Sequence, residues 1–197
     1  LTGHIHLAHA SHVSSPVIDE VLASLHQRYP RISYSIDVCK SSQAARMLLD
    51  RQLSFAVILV HQKQNGLEYL PLYREFFSFY CGPGHRLFGR DDLTLDDLRG
   101  ESTVSFSADV LSDVLRPLAL KREQLGFNAH IIGTSTHLEE VRRMIVAGLG
   151  IGPMPMHIAE RDVAEGYLWP VLPDSDSVAM DIYLAWNPQM RLNRAEQ

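Results

Sequence analysis

Cysteine, positive charge and long apolar runs are all scarce in this sequence. The 197 residues contain only Cys39 and Cys81, and two well-separated cysteines are typical of reduced thiols rather than of a disulfide framework. A bridge between them is the less favoured alternative. The net charge of -5 gives no electrostatic reason to expect DNA, RNA or an anionic membrane as a direct partner. No apolar run approaches the ~20 residues that span a bilayer, and the start of the chain shows no signal peptide. These features favour a cytoplasmic protein.

The overall composition is that of an ordinary globular protein. Hydrophobic residues make up 46% of the chain and charged residues 21%. A chain of this length forms one large domain or two modest lobes, with a sizeable core in either case.

The first sixty residues predict three strands in a parallel sheet. His4–Ala8 and Ile32–Val38 alternate polar and apolar residues, which is typical of strands. The apolar run 55–60 is typical of a strand that is buried on both faces. Because the intervening segments have helical periodicity, the order strand-helix-strand-helix-strand predicts parallel pairing with right-handed crossovers.

Two helices are predicted between these strands. The first begins near Ser15 and Pro16, carries an apolar stripe, and ends at Tyr29-Pro30. The second is expected to begin with Ser41-Ser42 as its cap.

The pattern restarts after Gly82, which suggests a second α/β lobe. Short strands are predicted at 104–106 and 129–132, and an amphipathic helix over 109–125. Thr136-x-x-Glu139 has the pattern of a capping box for one more helix. Two lobes predict a cleft between them, where ligands usually bind.

Residues 146–155, VAGLGIGPMP, resemble the segment V-A-x-G-x-G-I-x-x-x-P of the effector-binding domain of LysR-type transcriptional regulators. Other pieces follow in that family's order, including Gly3-x-Ile5-x-Leu7, Tyr29-Pro30, Leu70-Pro71-Leu72, Gly84-His85-Arg86-Leu87 and Thr94–Leu98. Each piece is short, but together they extend over nearly the whole chain. The sequence departs from the family pattern at Arg51, Ser54 and Arg86, where Gly, Asp and Pro are usual.

The resemblance implies an α/β fold of two Rossmann-like lobes joined by two crossover strands, as in type 2 periplasmic binding proteins. Lobe I would comprise residues 1–80 and 186–197, lobe II residues 81–185, and the second crossover would lie within Met180–Trp186. The family's N-terminal winged helix-turn-helix is absent from this chain, which begins at Leu1, so DNA is expected as a partner only through that domain. Homodimers, often assembled as tetramers, and a small-molecule effector between the lobes are also implied.

Small polar side chains cluster where the predicted strands give way to helices. Carboxyl ends of parallel strands present free backbone N–H groups and positive helix ends at one edge. Hydroxyls there cap the helix, which is the competing interpretation for each serine, or donate to an anion. In the family, matching positions line the effector cleft. An anionic effector therefore suits these edges, and an aromatic one would stack near Phe106. We expect effector contacts from Ser11, His12, Ser14, Ser41, Ser42, Val60 and His61 in lobe I, and from Phe106, Ser107 and Thr136 in lobe II.

Four histidines lie in the stretch GHIHLAHASH, residues 3–12, and suggest a metal site. On a strand, His4 and His6 share one face while His9 lies on the other. At most two therefore converge from the strand, whereas a structural zinc site takes four ligands and a catalytic site three. We predict no metal and no other cofactor, and we keep only His12 as an effector-site candidate.

Catalytic motifs are weak. The sequence has no G-x-S-x-G segment, and GLGIG at 148–152 lacks the spacing of a dinucleotide-binding loop. Lys121-Arg122 and Arg142-Arg143 are expected on solvated helix faces. The favoured interpretation is a non-enzymatic effector-sensing domain of a transcriptional regulator. Two alternatives stay open: a periplasmic solute-binding protein of a transporter, and a hydrolase or metal enzyme that uses the histidines.

Overall fold

The computed structural model describes residues 2–13, 15–127 and 130–191, which form an α/β protein. The chain divides into two compact units: unit 1 extends to Tyr73 and resumes at Asp181, and unit 2 is Arg74–Met180. None of the helices among the described residues is long and apolar enough to cross a bilayer. In chain order the strands and helices are β1 Gly3–His9, α1 Pro16–Arg28, β2 Ile32–Val38, α2 Ser41–Leu49, β3 Phe55–Leu59, β4 Glu68–Cys81, α3 Leu95–Leu98, β5 Ser102–Phe106, α4 Arg116–Leu125, β6 His130–Ser135, α5 Leu138–Val146, β7 Gly152–Pro155, α6 Met156–Ala164, β8 Trp169–Pro170 and β9 Val178–Trp186.

Unit 1 is built on the predicted parallel sheet. Strand β1 pairs in parallel with β2 on one side and with β3 on the other, and β9 pairs antiparallel with β3. Helix α2 packs its Ala44 and Leu48 against Ala8, Ala56 and Ile58 of the sheet, and these side chains are buried. The predicted order strand-helix-strand-helix-strand is therefore confirmed.

Unit 2 contains a second parallel pair. Strands β5 and β6 pair in parallel, with Phe106 opposite Ser135, while β4 pairs antiparallel with β7 and β8. The ring of Phe106 meets Phe77 edge to face at 6.4 Å between centroids. Such aromatic pairs add to the core beyond the area that they bury.

Strands β4 and β9 each run through both units. The units divide between Tyr73 and Arg74 and between Met180 and Asp181. The boundaries expected from the sequence, 80/81 and 185/186, fall a few residues later. The Gly-Pro-Gly segment at 82–84, which suggests the first of these boundaries, follows the end of β4 at Cys81.

Helix α1 begins and ends where the sequence predicts. The hydroxyl of Ser15, its N-cap, accepts the backbone N–H of Val17 at 3.3 Å, Pro16 lies at its first position, and Tyr29 is its C-cap. Its apolar stripe is nevertheless not a core element. No residue of α1 is fully buried, and the side chains of Val17 and Val21 are 61% and 50% exposed.

Two of the predicted helix caps are wrong, whereas Thr94-x-x-Asp97, whose spacing predicts a capping box, forms one. The N-cap of α2 is Lys40, because the hydroxyl of Ser41 is taken by the backbone N–H of Leu59 at 3.1 Å. The N-cap of α5 is His137 rather than Thr136. At α3 the carboxylate of Asp97 accepts the backbone N–H of Thr94 at 2.8 Å, so this capping box forms with Asp in place of Glu.

The helix predicted over 109–125 is also wrong in its first half. Helix α4 begins only at Arg116, and residues 109–115 form a loop. A helix starting at 109 would place Pro117 in its interior, where the ring clashes with the preceding turn and a hydrogen bond is lost. At its observed place, the second helical position, Pro117 costs no intrahelical bond.

Arg51 ends helix α2 in a left-handed conformation, with a φ of 58°. The amide of Arg51 donates to the carbonyl of Leu48, and that of Gln52 to the carbonyl of Met47 at 2.8 Å. This is a Schellman arrangement, whose left-handed position is usually glycine. Gly148 and Gly166 occupy the same position after α5 and α6. The departure from the family's glycine therefore strains the backbone without changing the fold.

We expect Arg51→Gly to stabilise the protein by about 0.5–1 kcal/mol. The change relieves a left-handed penalty of ~1–2 kcal/mol and adds a smaller entropy cost through the unfolded chain. Equilibrium urea unfolding measures the difference. Arg51→Ala is the matched control, because it removes the guanidinium but keeps the Cβ atom. Equal free energies of unfolding for the two variants would contradict the assignment of strain.

Candidate functional site

The carboxyl ends of β1, β2 and β3 meet at one edge of unit 1. The amide of Cys39 donates to the carbonyl of His9 at 3.1 Å, which links the end of β2 to the end of β1. The bond from the Leu59 amide to the Ser41 hydroxyl links the end of β3 to the start of α2. We call the segments 10–13, 39–43 and 59–62 the unit 1 edge.

The structure places most of the predicted lobe I residues on the unit 1 edge, with different exposure. His12 and Ser41 are buried, Ser11 and Val60 are half-buried, and Ser42 and His61 are exposed. Ser14 lies outside the described residues. Among these described residues, Ser11, Ser42 and His61 are the ones with polar side chains that are at least partly exposed.

The unit 1 edge carries no acidic residue in an acidic chain. Its three segments contain one lysine, Lys40, two histidines, His12 and His61, and no Asp or Glu, whereas the whole chain has 23 Asp and Glu against 18 Lys and Arg. Helix α2 begins at this edge with Lys40 as its N-cap and with no acidic residue in its first turn. The N–H groups of that turn have no intrahelical acceptor and carry the positive end of the helix dipole. This arrangement favours an anion.

The predicted lobe II residues lie together at the carboxyl ends of β5 and β6. The amide of Ser107 donates to the carbonyl of Ser135 at 2.9 Å, and Thr136 is the residue that follows Ser135. Ser107 is half-buried, Thr136 is exposed, and Phe106 is almost fully buried. Because Phe106 packs against Phe77 in the core, its ring is less available for stacking than the sequence suggests.

A buried polar network that the sequence does not predict adjoins the unit 2 edge, by which we mean residues 106–107 and 135–136. Arg122 of α4 donates to the carboxylate of Asp109, which also accepts the hydroxyl of Ser105. All three side chains are buried. Burial raises the pKa of the Asp109 carboxyl, and the neighbouring Arg122 and Ser105 oppose that rise.

The expectation that Arg122 lies on a solvated face is therefore wrong. The signal that would have found it is its spacing on α4. Leu118, Arg122 and Leu125 share one helical face, and both leucines are buried. Arg142 likewise pairs with Asp162, at 2.5 and 2.6 Å, whereas Arg143 stays largely exposed as expected.

The histidines of the first strand have separate partners. His6 Nε2 lies 2.8 Å from a carboxylate oxygen of Asp37, His4 Nδ1 lies 2.9 Å from the hydroxyl of Ser33, and His9 Nδ1 donates to the carbonyl of Ala10. Within residues 2–13, 15–127 and 130–191, no three His, Cys, Asp or Glu side chains come together in a way that could hold a metal ion.

Both cysteines are free thiols. Burial raises the pKa of the Cys81 thiol to about 12, and burial together with Asp37 raises the pKa of Cys39. Since the thiolate is the reactive form, neither cysteine has the environment of a reactive thiol at neutral pH.

The fold and its strand-end edges define a class of ligand-binding domain. The structure is similar to the effector-binding domain of QuiR solved in complex with shikimate, with a TM-score of 0.81 and 17% identity, covering 100% of this chain and 92% of that one. It is also similar to the regulatory domain of CcmR from Synechocystis PCC6803 in complex with 2-PG, with a TM-score of 0.80 and 18% identity, covering 100% and 93%. These regulatory domains have a fold like that of type 2 periplasmic binding proteins, so the predicted fold class is confirmed.

The chain belongs to the LysR substrate-binding domain family, whose model matches residues 1–197. It is therefore the effector-binding domain of a LysR-type regulator, as the sequence predicts. The transcriptional activator BauR of Pseudomonas aeruginosa is 28% identical over 178 residues, covering 89% of this chain and 56% of that protein. The uncharacterized regulator YwbI of Bacillus subtilis is 24% identical over 157 residues, covering 79% and 51%. The chain thus spans about half the length of these relatives. Neither the solute-binding nor the hydrolase alternative finds support among them.

Proposed function

We propose that this domain senses a small anionic effector through the unit 1 edge and the unit 2 edge, the latter being residues 106–107 and 135–136. The predicted contacts are Ser11, His12, Ser41, Ser42, Val60 and His61 at the unit 1 edge, Phe106, Ser107 and Thr136 at the unit 2 edge, and Ser14, which lies outside the described residues. An aromatic acid belongs to the same ligand class, with its carboxylate as the recognised group.

The observation that carries the proposal is the lack of acidic residues in the unit 1 edge. The first turn of α2 supplies backbone N–H groups, and Lys40 and His61 add polar side chains in three segments that contain no Asp or Glu. Charge-assisted hydrogen bonds of this kind are stronger than neutral ones. Burial and the carboxylate of Asp37 raise the pKa of the Cys39 thiol, and this carboxylate is paired with His6. The ligand of one structural neighbour supports the same ligand class, since shikimate is a hydroxylated carboxylic acid.

A thermal-shift screen tests the proposal. Purified domain is heated alone and with each member of a panel of small carboxylates, including shikimate and benzoate, and with the corresponding uncharged amides and alcohols. A ligand that binds the folded state raises Tm, by an amount that grows with its concentration. We expect at least one acid to raise Tm while its neutral analogue does not. Equal shifts for acids and neutral analogues would contradict recognition of an anion.

Regulation would follow from a difference in effector affinity between two conformations of the domain. An effector shifts such an equilibrium only as far as its affinities for the two states differ. We propose that a DNA-binding domain outside residues 1–197 responds to this shift, since the relatives are named as helix-turn-helix regulators. In this role the domain performs no catalysis and works in the cytoplasm.

We also propose that the domain is a homodimer, assembled through apolar faces on both units. In unit 1, Val17, Val21, Ile36 and Val38 of α1 and β2 are exposed, and β2 pairs within the described sheet only with β1. In unit 2, Leu120 of α4 and Ile131 and Ile132 of β6 are exposed. Apolar side chains along an edge strand invite association, and a second copy supplies both faces at once.

Val21→Glu is expected to weaken the dimer at least tenfold, because it places a charge in the covered apolar face. Sedimentation velocity over a concentration series measures the change. Leu95→Glu is the control, since Leu95 is 53% exposed but lies on α3, which is not one of the elements that carry these faces. A wild-type domain that sediments as a monomer, or equal effects of the two variants, would contradict the proposed interface.

A further inference from the structure

The guanidinium of Arg122 makes three hydrogen-bonding contacts with Ser105, near the end of β5, and with Asp109, in the segment after β5. It donates to the Asp109 carboxylate, to the backbone carbonyl of Asp109 at 3.3 Å, and to the hydroxyl of Ser105 at 3.3 Å. Ser105 in turn donates to the same oxygen of Asp109. The network therefore connects α4 to the end of β5 and to the segment that follows β5.

The segment that it holds carries the predicted effector contacts of unit 2. The amide of Asp109 donates to the carbonyl of Phe106 at 3.0 Å, so residues 106–109 form a tight turn. Further along, the amide of Leu115 donates to the carbonyl of Ala108 at 3.3 Å. On its β5 side the turn is also held by the bond from the Ser107 amide to the Ser135 carbonyl at 2.9 Å. The buried pair fixes the other end of the turn, at Asp109, so the conformation of the turn that carries Ser107 depends on both.

A gain in the free energy of unfolding does not explain why this network is present. Ions buried in a protein lose hydration that their mutual attraction often fails to repay, and apolar replacements of such pairs are commonly neutral or stabilising. Here the pairing is also incomplete, because Asp109 Oδ1 and Arg122 Nε have no hydrogen-bond partner among the described residues. What the network does supply is a single defined conformation for the turn that it grips.

We propose that Arg122 and Asp109 are positioning residues for effector recognition: the buried pair holds the turn 106–109 so that Ser107 faces the bound anion. The proposal rests on the proposed function for the identity of the contact residues. The positioning itself is a property of the domain without any effector, and it is tested separately on that form.

Hydrogen–deuterium exchange on the effector-free domain tests the positioning. The variant carries Asp109→Asn together with Arg122→Met, which removes both charges and keeps an acceptor for Ser105. Because the pair is neutralised as a whole, Tm is expected to change by less than about 5 °C. Amides of residues 107–115 should exchange at least tenfold faster than in the wild type, while amides of β6 and α5 keep their rates. The Arg122→Lys variant retains one contact and should give an intermediate rate.

The outcomes separate positioning from a general structural role. Unchanged exchange in 107–115 would overturn the proposal, as would an equal acceleration throughout unit 2. A double variant that fails to fold leaves Arg122→Lys to decide: wild-type exchange rates in that variant would also overturn it. If no carboxylate binds in the thermal-shift screen, the proposed function fails while the exchange result stands as evidence on the turn.

Discussion

Arg122→Met alone should destabilise the protein by about 3–5 kcal/mol, because it leaves the Asp109 carboxylate buried without its cation. Asp109 is 1% exposed, so water cannot replace the guanidinium unless the loop opens. This loss is a large part of the stability of an ordinary domain. Urea unfolding followed by circular dichroism measures it.

Arg143→Met is the matched control for this change. Arg143 lies in the same unit and loses an exposed pair with Glu140 at 3.7 Å, a kind of contact that contributes ~0–1 kcal/mol. The account therefore predicts a small effect of this variant. It is contradicted if the two Arg→Met variants unfold at the same urea concentration.

Gly82→Ala should destabilise unit 2 by about 3 kcal/mol through overpacking. A Cβ atom at Gly82 would lie 2.6 Å from the carbonyl oxygen of Val146 and closer still to that of Ile145. These are backbone atoms at the end of α5, and the helix is anchored by the buried side chains of Leu138, Val141 and Ile145. Neither partner moves cheaply, so the strain stays in the folded state.

Gly84→Ala provides the comparison two residues later in the chain. A Cβ atom there meets no heavy atom within 4 Å, so the free energy of unfolding should stay within about 0.5 kcal/mol of the wild type. Thermal unfolding of the two variants side by side measures the difference. Equal Tm values would show that the approach of β4 to α5 is less close than the structure has it.

Local signals predicted the elements whose ends are set by local chemistry. Ser15, Pro16 and Tyr29 fix helix α1 because a hydroxyl cap, a proline at the first position and a residue before proline act within a few residues of themselves. The parallel strands followed from the same kind of pattern. The pattern does not show which apolar helix stripe packs against the sheet. In unit 1 the stripe of α2 is buried, whereas that of α1 stays exposed.

Hydrogen bonds between residues far apart in the chain could not be predicted from the sequence pattern. The hydroxyl of Ser41 accepts an amide 18 residues away, and Arg122 reaches Asp109 13 residues before it. Such pairings are decided by how elements pack, and local pattern alone therefore predicts a cap at Ser41 and a surface position for Arg122, both of which are wrong. The start of α4 was within reach, since Pro117 alone excludes a helix that begins at 109.

The candidate site could likewise be predicted only in part. That polar residues gather at strand ends could be predicted, because parallel strands end at a common edge. Their exposure could not. The buried His12 and the exposed Ser42 lie on the same edge. The role of each residue in effector binding stays a prediction.

Calorimetric titration of Ser42→Trp and Ser11→Trp tests the central proposal most directly, with the carboxylate that gives the largest thermal shift as titrant. The indole would fill the unit 1 edge while the core under it stays intact, so we expect affinity to fall at least tenfold with Tm close to the wild type. Ser33→Trp, at the opposite end of β2, should bind like the wild type. Wild-type affinity in both edge variants would show that the effector does not bind at the unit 1 edge.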